Sequence, residues 1–438
     1  MKNKIETFGS LCSGIEAASF VLEPLGVKPL WLSEIGEFQS RFLAIKYPNV
    51  TNYGDMNDIP EKIESGEMEA PDLLCGGTPC QAFSLAGWRN GINDDRGLLT
   101  LKYIDIVNAI DKKRLAVNKP RTIFFWENVE GALTDKTNAF GCFLAGLLGL
   151  PEPIVVSKWT SAGVVYGKDR NIAWRVLDAK YFGLPQQRKR IYLLGGGKDF
   201  HPENVLFEMG ELLVDPFSKK QVKTDPITQK KQKPQQLSLF DGVEEQTYSP
   251  SLIKQISGHT IEAFRSYSDC LYAAYGTKWN GNAAAYNGSL YFSQNGRLRR
   301  LTPLECERLM GFPDNYTNIE KCRDTQRYHA VGNSWAVPVI RWIAQRLING
   351  NNTQVALNNG SIILLNDFTP LGNEKYINAS KMPYDYKLCN MVDIADVNAP
   401  EKFYITSAGC AGILRRKTEH NIGMNARLEI TLRNCIDV

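Results

Sequence analysis

Short apolar runs alternate with helical patterns across residues 1–197, and this alternation constrains the fold more than any other feature of the chain. The runs predict strands over residues 8–12, 29–34, 72–75, 121–126 and 190–194, and the patterns between them predict helices over residues 16–25, 38–47 and 98–110. Alternating strands and helices favour a parallel sheet covered on both faces. Such sheets bind ligands beside the carboxyl ends of their strands, so we expect the functional residues at that edge.

The composition bounds the class of protein without identifying it. With 438 residues, of which 43% are hydrophobic, the chain can form two or three domains with full cores. Its net charge of +4 is compatible with a nucleic-acid partner but does not require one. Ten cysteines without repeated CxxC pairs, and four histidines without metal-ligand spacing, favour a cytoplasmic protein with reduced thiols and no metal site. Neither a signal peptide nor an apolar run long enough for a membrane span is predicted.

Cys80 lies in the segment GGTPCQAFSLAG, residues 76–87, directly after an apolar run over residues 71–75. A cysteine on a glycine-flanked turn after a strand is held out from the backbone, and Pro79 stiffens that turn by fixing its φ angle. This placement suits a nucleophile. Considered alone, the segment is also compatible with a structural thiol, since free cysteines are commonly buried.

Three further segments follow in the chain: WENV at residues 126–129, QQRKR at 186–190 and VGNSWAVP at 331–338. Together with the PCQ of residues 79–81, and in this order, they resemble the conserved blocks of the cytosine-5 DNA methyltransferases. The resemblance spans about residues 5–348. It implies an α/β, Rossmann-like S-adenosylmethionine-dependent methyltransferase fold with a smaller, strand- and loop-rich target-recognition domain.

The resemblance implies a covalent reaction at cytosine. Cys80 would add to carbon 6 of the ring, which enables carbon 5 to attack a methyl group. Glu127 would share a proton with ring N3 and accept from the N4 amine, which selects cytosine over thymine. Arg188 and Arg190 would raise the thiolate fraction of the cysteine and hold the cytosine carbonyl, the Glu127 carboxylate or a phosphate. Considered without the resemblance, Glu127 could instead cap the following helix, and the arginines could form a solvated basic edge.

The implied methyl donor is S-adenosylmethionine, and SLCSGIEAASF, residues 10–20, stands where the family binds it. The family's motif is close to DLFxGxGG, whereas this chain has Ser10, Cys12, Glu16 and Ala17 at the positions of the Asp, the Phe and the two later Gly. A small-residue turn before a helix can face a carboxylate or a ribose. The predicted cofactor-binding residues are Cys12, Gly14, Ile15, Glu34, Ile35, Asp55, Met56, Pro79, Leu99, Asn333 and Ser334.

The implied substrate is double-stranded DNA whose target cytosine is flipped out of the helix. Residues 84–97 resemble the family's mobile loop, which closes over the flipped base. The predicted DNA-binding residues are Gln81, Ser84, Arg89, Arg96, Arg297 and Arg299. Arg297 and Arg299 are equally compatible with a charged hinge that touches no phosphate.

These segments predict a division of the chain into units with different tasks. The predicted units are a catalytic and cofactor-binding domain (residues 1–198, completed by 325–350), a target-recognition domain (199–300, with a mobile Lys- and Gln-rich segment at 217–247), a hinge (301–324) and an extension beyond the family's common core (351–438). Within the extension, residues 411–417 predict a helix with a basic end. Such a helix either packs on the enzyme or touches flanking DNA.

One short segment resembles the motif by which many bacterial DNA enzymes bind the replicative sliding clamp: Gln236, Leu237, Ser238, Leu239 and Phe240. The alternative is that these apolar residues anchor their loop on the recognition domain itself. We expect a monomer without a membrane partner. A tRNA cytosine-5 methyltransferase and an inactive DNA-binding relative are alternative functions on the same scaffold. A dinucleotide oxidoreductase is disfavoured because the first turn lacks GxGxxG.

Overall fold

A computed structural model of the protein describes residues 4–78, 98–211, 252–278, 284–350, 355, 357, 362–372 and 375–436. The predicted sliding-clamp motif at residues 236–240, and the Lys- and Gln-rich segment around it, lie outside these ranges. Within the described ranges, none of the helices has both the length and the apolar character that a bilayer crossing needs. Across the same ranges, no group of three or more His, Cys, Asp or Glu side chains is placed to hold a metal ion.

The strands and helices of the described residues are numbered here in chain order. The strands are β1 Thr7–Leu11, β2 Lys28–Ser33, β3 Thr51–Asn52, β4 Leu73–Gly76, β5 Ile123–Val129, β6 Ala162–Tyr166, β7 Arg170–Asp178, β8 Lys189–Gly197, β9 Glu208–Glu211, β10 Leu252–Ile256, β11 His259–Ala263, β12 Tyr291–Gln294, β13 Arg297–Arg300, β14 Ile362–Leu365, β15 Phe368–Gly372 and β16 Lys375–Asn378. The helices are α1 Ala17–Leu22, α2 Glu37–Lys46, α3 Ile59–Ser65, α4 Leu98–Ala116, α5 Ala139–Leu148, α6 Glu203–Leu206, α7 Tyr275–Lys278, α8 Ala284–Asn287, α9 Pro303–Met310, α10 Asp324–Asn333, α11 Val337–Asn349, α12 Ser407–Glu419 and α13 Ala426–Asn434. Each strand and helix predicted over residues 1–197 is present, whereas β3, β6, β7, α3 and α5 were not predicted.

The largest sheet has the strand order β14-β6-β7-β8-β5-β4-β1-β2-β3. Strands β1 to β5 run parallel to one another, as expected. The prediction of a parallel sheet is wrong for the strand at residues 190–194, because β8 runs antiparallel to both β5 and β7. The reason is that β6, β7 and β8 follow one another through short connections without a crossover helix, and short connections join antiparallel strands.

The reversed direction of β8 still brings its first residues to the functional edge of the sheet. Arg190 pairs with Val129, the last residue of β5. The beginning of β8 therefore lies beside the carboxyl ends of the parallel strands, where open α/β sheets bind their ligands. The QQRKR segment thus reaches the predicted edge at the start of a strand rather than at its end.

Alternate residues of the central strands pack into two separate cores. Along β8, Tyr192 and Leu194 belong to one buried cluster, and Ile191 and Leu193 belong to another. Successive side chains of a strand point to opposite faces, so both faces of the sheet are covered, as predicted. Burial on both faces is typical of the internal strands of an α/β sheet.

A second sheet, of order β10-β11-β12-β13, is antiparallel and lies within the predicted recognition region. The chain leaves it through α9, Pro303–Met310. Thr302 caps this helix, Pro303 occupies its first turn, and Glu305 completes a capping box with Thr302. This combination fixes the point at which the chain turns back towards the large sheet.

The C-terminal residues join the large sheet at two places. Strand β14 pairs with β6 at its edge. Arg175 of β7 is fully buried, and its guanidinium donates to the carbonyl oxygens of Ser380 and Met382 at 2.7 and 3.1 Å. A buried guanidinium needs such acceptors, so these C-terminal carbonyls stabilise the interior of the catalytic region.

The same C-terminal residues continue onto the second sheet. The Ile405 amide donates to the Leu298 carbonyl of β13, and the Asn425 amide donates to the Tyr286 carbonyl, both at 2.9 Å. The predicted helix at residues 411–417 lies within α12, where Ile413 is buried in a cluster with residues of the second sheet. The extension therefore packs along both sheets of the molecule.

Candidate active site

One cavity of about 560 Å³ opens at the carboxyl ends of β1, β2, β4 and β5. Its wall is completed from far along the chain by residues 332–335, at the end of α10 and the start of the next turn. Glu127 and Arg190, predicted for catalysis, line the same cavity as Glu34, predicted for the cofactor. A single cavity can therefore hold two reacting molecules against each other, which is the main requirement of a group transfer.

Glu127 is buried near the end of β5, after the apolar residues 123–126 that fill the sheet interior. Arg190 Nε lies 3.1 Å from Glu127 Oε1. Burial raises the pKa of the Glu127 carboxyl, and the charges of Arg190 and Arg188 and a hydrogen bond with the Trp335 indole oppose that rise. Because burial dominates, the carboxyl releases its proton less readily than an exposed glutamate, which suits a group that shares a proton with a ligand.

Arg188 is buried, and its guanidinium holds backbone segments together. Its Nη2 donates to the carbonyl oxygens of Gly332 and Ser334 at 3.2 and 2.7 Å, and its Nη1 donates to that of Leu271 at 3.2 Å. Of the two arginines, Arg190 is therefore the one that pairs with the Glu127 carboxylate. The Nη donors of Arg188 are taken by three carbonyls, so Arg188 acts on Glu127 through its charge and positions the cavity wall.

Thr78 is the last residue of the first described range and directly precedes the PCQ sequence. Its carbonyl oxygen accepts from Asn128 Nδ2 at 3.1 Å, and its Oγ1 accepts from Trp126 Nε1 at 3.1 Å and lies 3.0 Å from Thr100 Oγ1. The WENV segment therefore anchors the backbone that leads to the predicted nucleophile. The other predicted residues of this part of the chain lie outside the described ranges: Pro79, Cys80, Gln81, Ser84, Arg89 and Arg96.

Glu34 both lines the cavity and fixes the turn that precedes α1. Its Oε2 accepts from the Gly14 amide at 2.8 Å, and its Oε1 accepts from the Gly36 amide at 2.7 Å. Gly14 has a φ angle of +56°, in the left-handed region that glycine adopts without strain. A carboxylate at the end of the second strand is a suitable acceptor for ribose hydroxyls, so this part of the cavity fits the nucleoside of S-adenosylmethionine.

Most of the remaining residues predicted for the cofactor also line the cavity: Cys12, Ile35, Asp55, Met56, Leu99, Asn333 and Ser334. Ile35 is 76% exposed and offers an apolar surface at the cavity. Ile15 is the exception, and its prediction is corrected. Its side chain is buried in the core, and its carbonyl oxygen accepts from Tyr316 Oη at 3.0 Å. The turn directs residue 15 inwards, whereas Gly14 and Glu16 on either side line the cavity.

Trp335 also lines the cavity, although it was not predicted as a site residue. Its ring stands edge-on to Phe125, with centroids 5.3 Å apart and planes at 81°. A Cβ atom at Gly77 would lie 3.2 Å from Trp335 Nε1 and 3.3 Å from Glu127 Oε2. Glycine at position 77 therefore leaves room for the indole and the carboxylate to converge. An aromatic residue directly after the Gly-Asn-Ser of VGNSWAVP was the signal that could have identified it.

Glu16 is a second cavity residue that was noted only as a departure from the family motif. Burial raises the pKa of its carboxyl to about 7, and hydrogen bonds from Ser10 and Ser19 oppose that rise. A charged residue at a glycine position of the motif was the signal that could have identified it.

The two arginines of β13 that were predicted to bind DNA are engaged within the protein. Arg299 is fully buried, lies 2.7 Å from Glu305 Oε1 and donates to the Asp396 carbonyl at 2.9 Å. Its prediction as a DNA-binding residue is therefore wrong, because the buried Glu305 carboxylate needs a cation. Arg297 is exposed, and its Nη1 lies 3.1 Å from Glu401 Oε2. Both arrangements agree with the alternative of a charged hinge.

The α/β sheet, the cavity at its carboxyl edge and the buried carboxyl beside Arg190 describe a cofactor-dependent transferase. Residues 7–349 match the family described as C-5 cytosine-specific DNA methylase. The chain belongs to this family, and it is a methyltransferase. S-Adenosylmethionine is the methyl donor of these enzymes, in agreement with the cavity residues above.

Two curated relatives illustrate the range of the family. The chain is 30% identical over 336 residues to the Type II methyltransferase M1.ScrFI of Lactococcus lactis subsp. cremoris, covering 74% of this chain and 72% of that protein. It is 34% identical over 457 residues to a protein of Escherichia phage P1 named DNA N-6-adenine-methyltransferase, covering 78% of this chain and 61% of the relative. The chain thus spans less than two thirds of that phage protein.

Among solved structures, the chain is similar to a putative DNA modification methyltransferase encoded within a prophage of E. coli. The sequence identity is 18%, the TM-score is 0.48, and the match covers 78% of this chain and 99% of the other.

Proposed function

We propose that this protein transfers a methyl group from S-adenosylmethionine to carbon 5 of a cytosine in a specific sequence of duplex DNA. The observation that carries the proposal is the buried Glu127 carboxyl beside Arg190, in the same cavity as the cofactor residues. Carbon 5 of cytosine is a weak nucleophile, so a base-binding acid and a covalent activator are both needed before a methyl group can be transferred.

The proposed reaction begins with addition of the Cys80 thiolate to carbon 6. A sulfur–carbon bond forms, the electron pair of the ring double bond moves to carbon 5, and Glu127 supplies a proton at N3. The cofactor would supply an electrophilic methyl group on a sulfonium sulfur; carbon 5 attacks this methyl group, and its bond to the sulfonium sulfur breaks to leave a neutral thioether. The N3 proton then returns to Glu127, the carbon 5 proton leaves to solvent, and the bond between the sulfur and carbon 6 breaks, which restores the thiolate and the ring double bond. General acid assistance of this kind contributes about 100- to 10,000-fold to a rate.

The same carboxyl accounts for the choice of base. A protonated Glu127 donates to the unprotonated N3 of cytosine, and its other oxygen accepts from the N4 amine. Thymine carries a hydrogen on N3 and a carbonyl at position 4, so both interactions would be lost. Arg190 keeps the carboxyl oriented from the side of Oε1. A base stacked inside a duplex does not reach a cavity at the sheet edge, so we infer that the target base is flipped out.

The name of the phage P1 relative raises adenine N6 as a second candidate target. Methylation of an exocyclic amine needs no covalent activation of a ring carbon, so it would leave the PCQ cysteine without a role. More than a third of that relative lies outside the match, so its name does not assign a base to this chain. The tRNA alternative rests on the same chemistry as the proposal and differs only in the nucleic acid.

Sequencing of bisulfite-treated DNA from cells that express the protein tests the proposal directly. We expect protected cytosines within one recurring sequence, and 5-methylcytosine in the hydrolysed DNA. Cells that express the Glu127→Gln variant provide the background. N6-methyladenine without 5-methylcytosine would establish the second candidate. New 5-methylcytosine confined to tRNA would establish the third.

Replacement of Trp335 by phenylalanine is expected to move the alkaline limit of the reaction to higher pH. The indole hydrogen bond lowers the pKa of Glu127, so its removal raises that pKa further. Activity that requires protonated Glu127 falls as pH rises through this pKa, and the fall should therefore begin later in the variant. Phenylalanine keeps the edge-on packing against Phe125.

The measurement is the pH dependence of the single-turnover rate with saturating DNA and cofactor. Trp342→Phe is the matched control, because the Trp342 indole donates to Asp385 at 3.3 Å and does not line the cavity. A lower rate with an unchanged pH profile in Trp335→Phe would mean that the indole only fills space.

A further inference from the structure

The backbone at Glu16 has the conformation of a glycine. Its φ and ψ angles are both +58°, in the left-handed region, at the residue that caps α1. Residues with a Cβ atom are disfavoured there, and the family motif DLFxGxGG has glycine at this position. The chain therefore keeps the turn of the motif but places a glutamate where a side chain is strained. Strain that persists at a ligand cavity calls for a compensating interaction.

The Glu16 carboxylate supplies that compensation through three hydrogen bonds. Its Oε2 accepts from Ser10 Oγ at 2.9 Å, and its Oε1 accepts from the Ser19 amide and from Ser19 Oγ, both at 3.0 Å. The side chain is 1% exposed and lines the cofactor cavity together with Ser10. One buried carboxylate thus ties the end of β1 to the first turn of α1.

Ser10 stands where the family motif has its aspartate. The contact between Ser10 Oγ and Glu16 Oε2 places the glutamate carboxylate directly beyond the short serine side chain. The carboxyl group of an aspartate at position 10 would reach into the space that the Glu16 carboxylate occupies here. The acidic group of the motif is therefore retained at this place in the cavity, although it originates six residues later in the chain.

We propose that Glu16 is the positioning residue of the cofactor-binding turn and takes the place of the motif's aspartate. The motif has an acidic residue at position 10 and a small residue at position 16, and this chain has the reverse, with Ser10 and Glu16. The inference concerns how S-adenosylmethionine is held and does not depend on which base is methylated. It requires that the two positions be coupled: an acid is needed at one of them, and two acids together are harmful.

The test is a reciprocal exchange, measured as the dissociation constant of S-adenosylmethionine for the purified protein without DNA. Glu16→Gly leaves Ser10 and Ser19 without their acceptor and should weaken binding at least about tenfold. Ser10→Asp places two carboxyl groups in one buried site and should weaken binding similarly. The double variant Ser10→Asp/Glu16→Gly restores one carboxylate and a glycine at the left-handed position, and it should bind within about threefold of the wild type.

Two controls separate this role from general destabilisation. Glu61→Gln, at an exposed carboxylate on α3, should leave cofactor binding unchanged. Thermal unfolding without cofactor shows whether each variant is folded, and Glu16→Gln provides a conservative substitute if Glu16→Gly is not. In steady state, Glu16→Gly and Ser10→Asp should each raise KM for the cofactor and leave KM for DNA unchanged. Wild-type affinity in folded Glu16→Gly or Glu16→Gln, or a folded double variant no better than the single ones, would overturn the proposal.

Discussion

Cys80→Ser is expected to abolish methyl transfer and to leave S-adenosylmethionine binding essentially unchanged. The proposed reaction needs a thiolate at carbon 6, and a serine hydroxyl is far less ionised and less nucleophilic at neutral pH. The cofactor cavity described above is lined by Gly14, Glu34 and other residues whose identity the substitution leaves unchanged. The measurement pairs incorporation of labelled methyl groups into DNA with calorimetric titration of the cofactor.

A duplex that carries 5-fluorocytosine at the target position provides the direct evidence for the adduct. Fluorine does not leave as a proton, so the wild-type protein should remain covalently attached to the DNA in a denaturing gel. Cys322→Ser is the matched control, because that thiol is partly exposed and lies outside the cavity; it should trap DNA as the wild type does. Turnover by Cys80→Ser, or the absence of a trapped wild-type complex, would contradict the covalent mechanism.

Glu127→Gln is expected to reduce the rate of methyl transfer by roughly 100- to 10,000-fold, the range of general acid catalysis by one positioned group. Glutamine keeps the size of the side chain and an oxygen for Arg190, which lies 3.1 Å from the carboxylate. It does not deliver a proton to N3. The loss should appear in the single-turnover rate constant of methyl transfer, with little change in cofactor affinity.

Glu130→Gln provides the comparison for this variant. Glu130 lies three residues further along, is partly exposed and pairs with Lys381 at 3.0 Å. Exposed ion pairs contribute little to stability, so its variant should retain the wild-type rate. A rate for Glu127→Gln within about threefold of the wild type, equivalent to a barrier change of only about 0.7 kcal/mol, would show that Glu127 is not the acid.

The central strands and their edge could be predicted because they depend on local patterns. Apolar runs such as residues 123–126 form buried strands wherever they pair, and Glu127 follows directly at the strand end. The direction of β8 depends on β6 and β7, because these three strands pair antiparallel to one another and no crossover helix connects them. Local periodicity does not contain that information, so the antiparallel half of the sheet was not anticipated.

The roles of individual arginines were harder to predict because their partners are distant in sequence. The acceptors of Arg188 are carbonyl oxygens of Leu271, Gly332 and Ser334, more than 80 positions away. Nothing within the QQRKR segment distinguishes a guanidinium that meets carbonyls from one that meets a ligand. Arg299 differs, since its partner Glu305 is six positions away. The capping box that Glu305 forms was predictable in part. The pairing of the buried Glu305 carboxylate with a buried cation was not.

The route of the C-terminal residues has a consequence for the evolution and engineering of sequence specificity. Residues 375–436 contact β7 of the catalytic sheet through Ser380 and Met382, the second sheet through Ile405 and helix α8 through Asn425. If a different recognition region were placed in this enzyme without its own tail, it would face backbone carbonyl and amide groups of a tail that forms its hydrogen bonds with the original region. We therefore propose that the predicted recognition region of this protein can be exchanged only together with the tail, although more than 70 residues separate the two in the sequence.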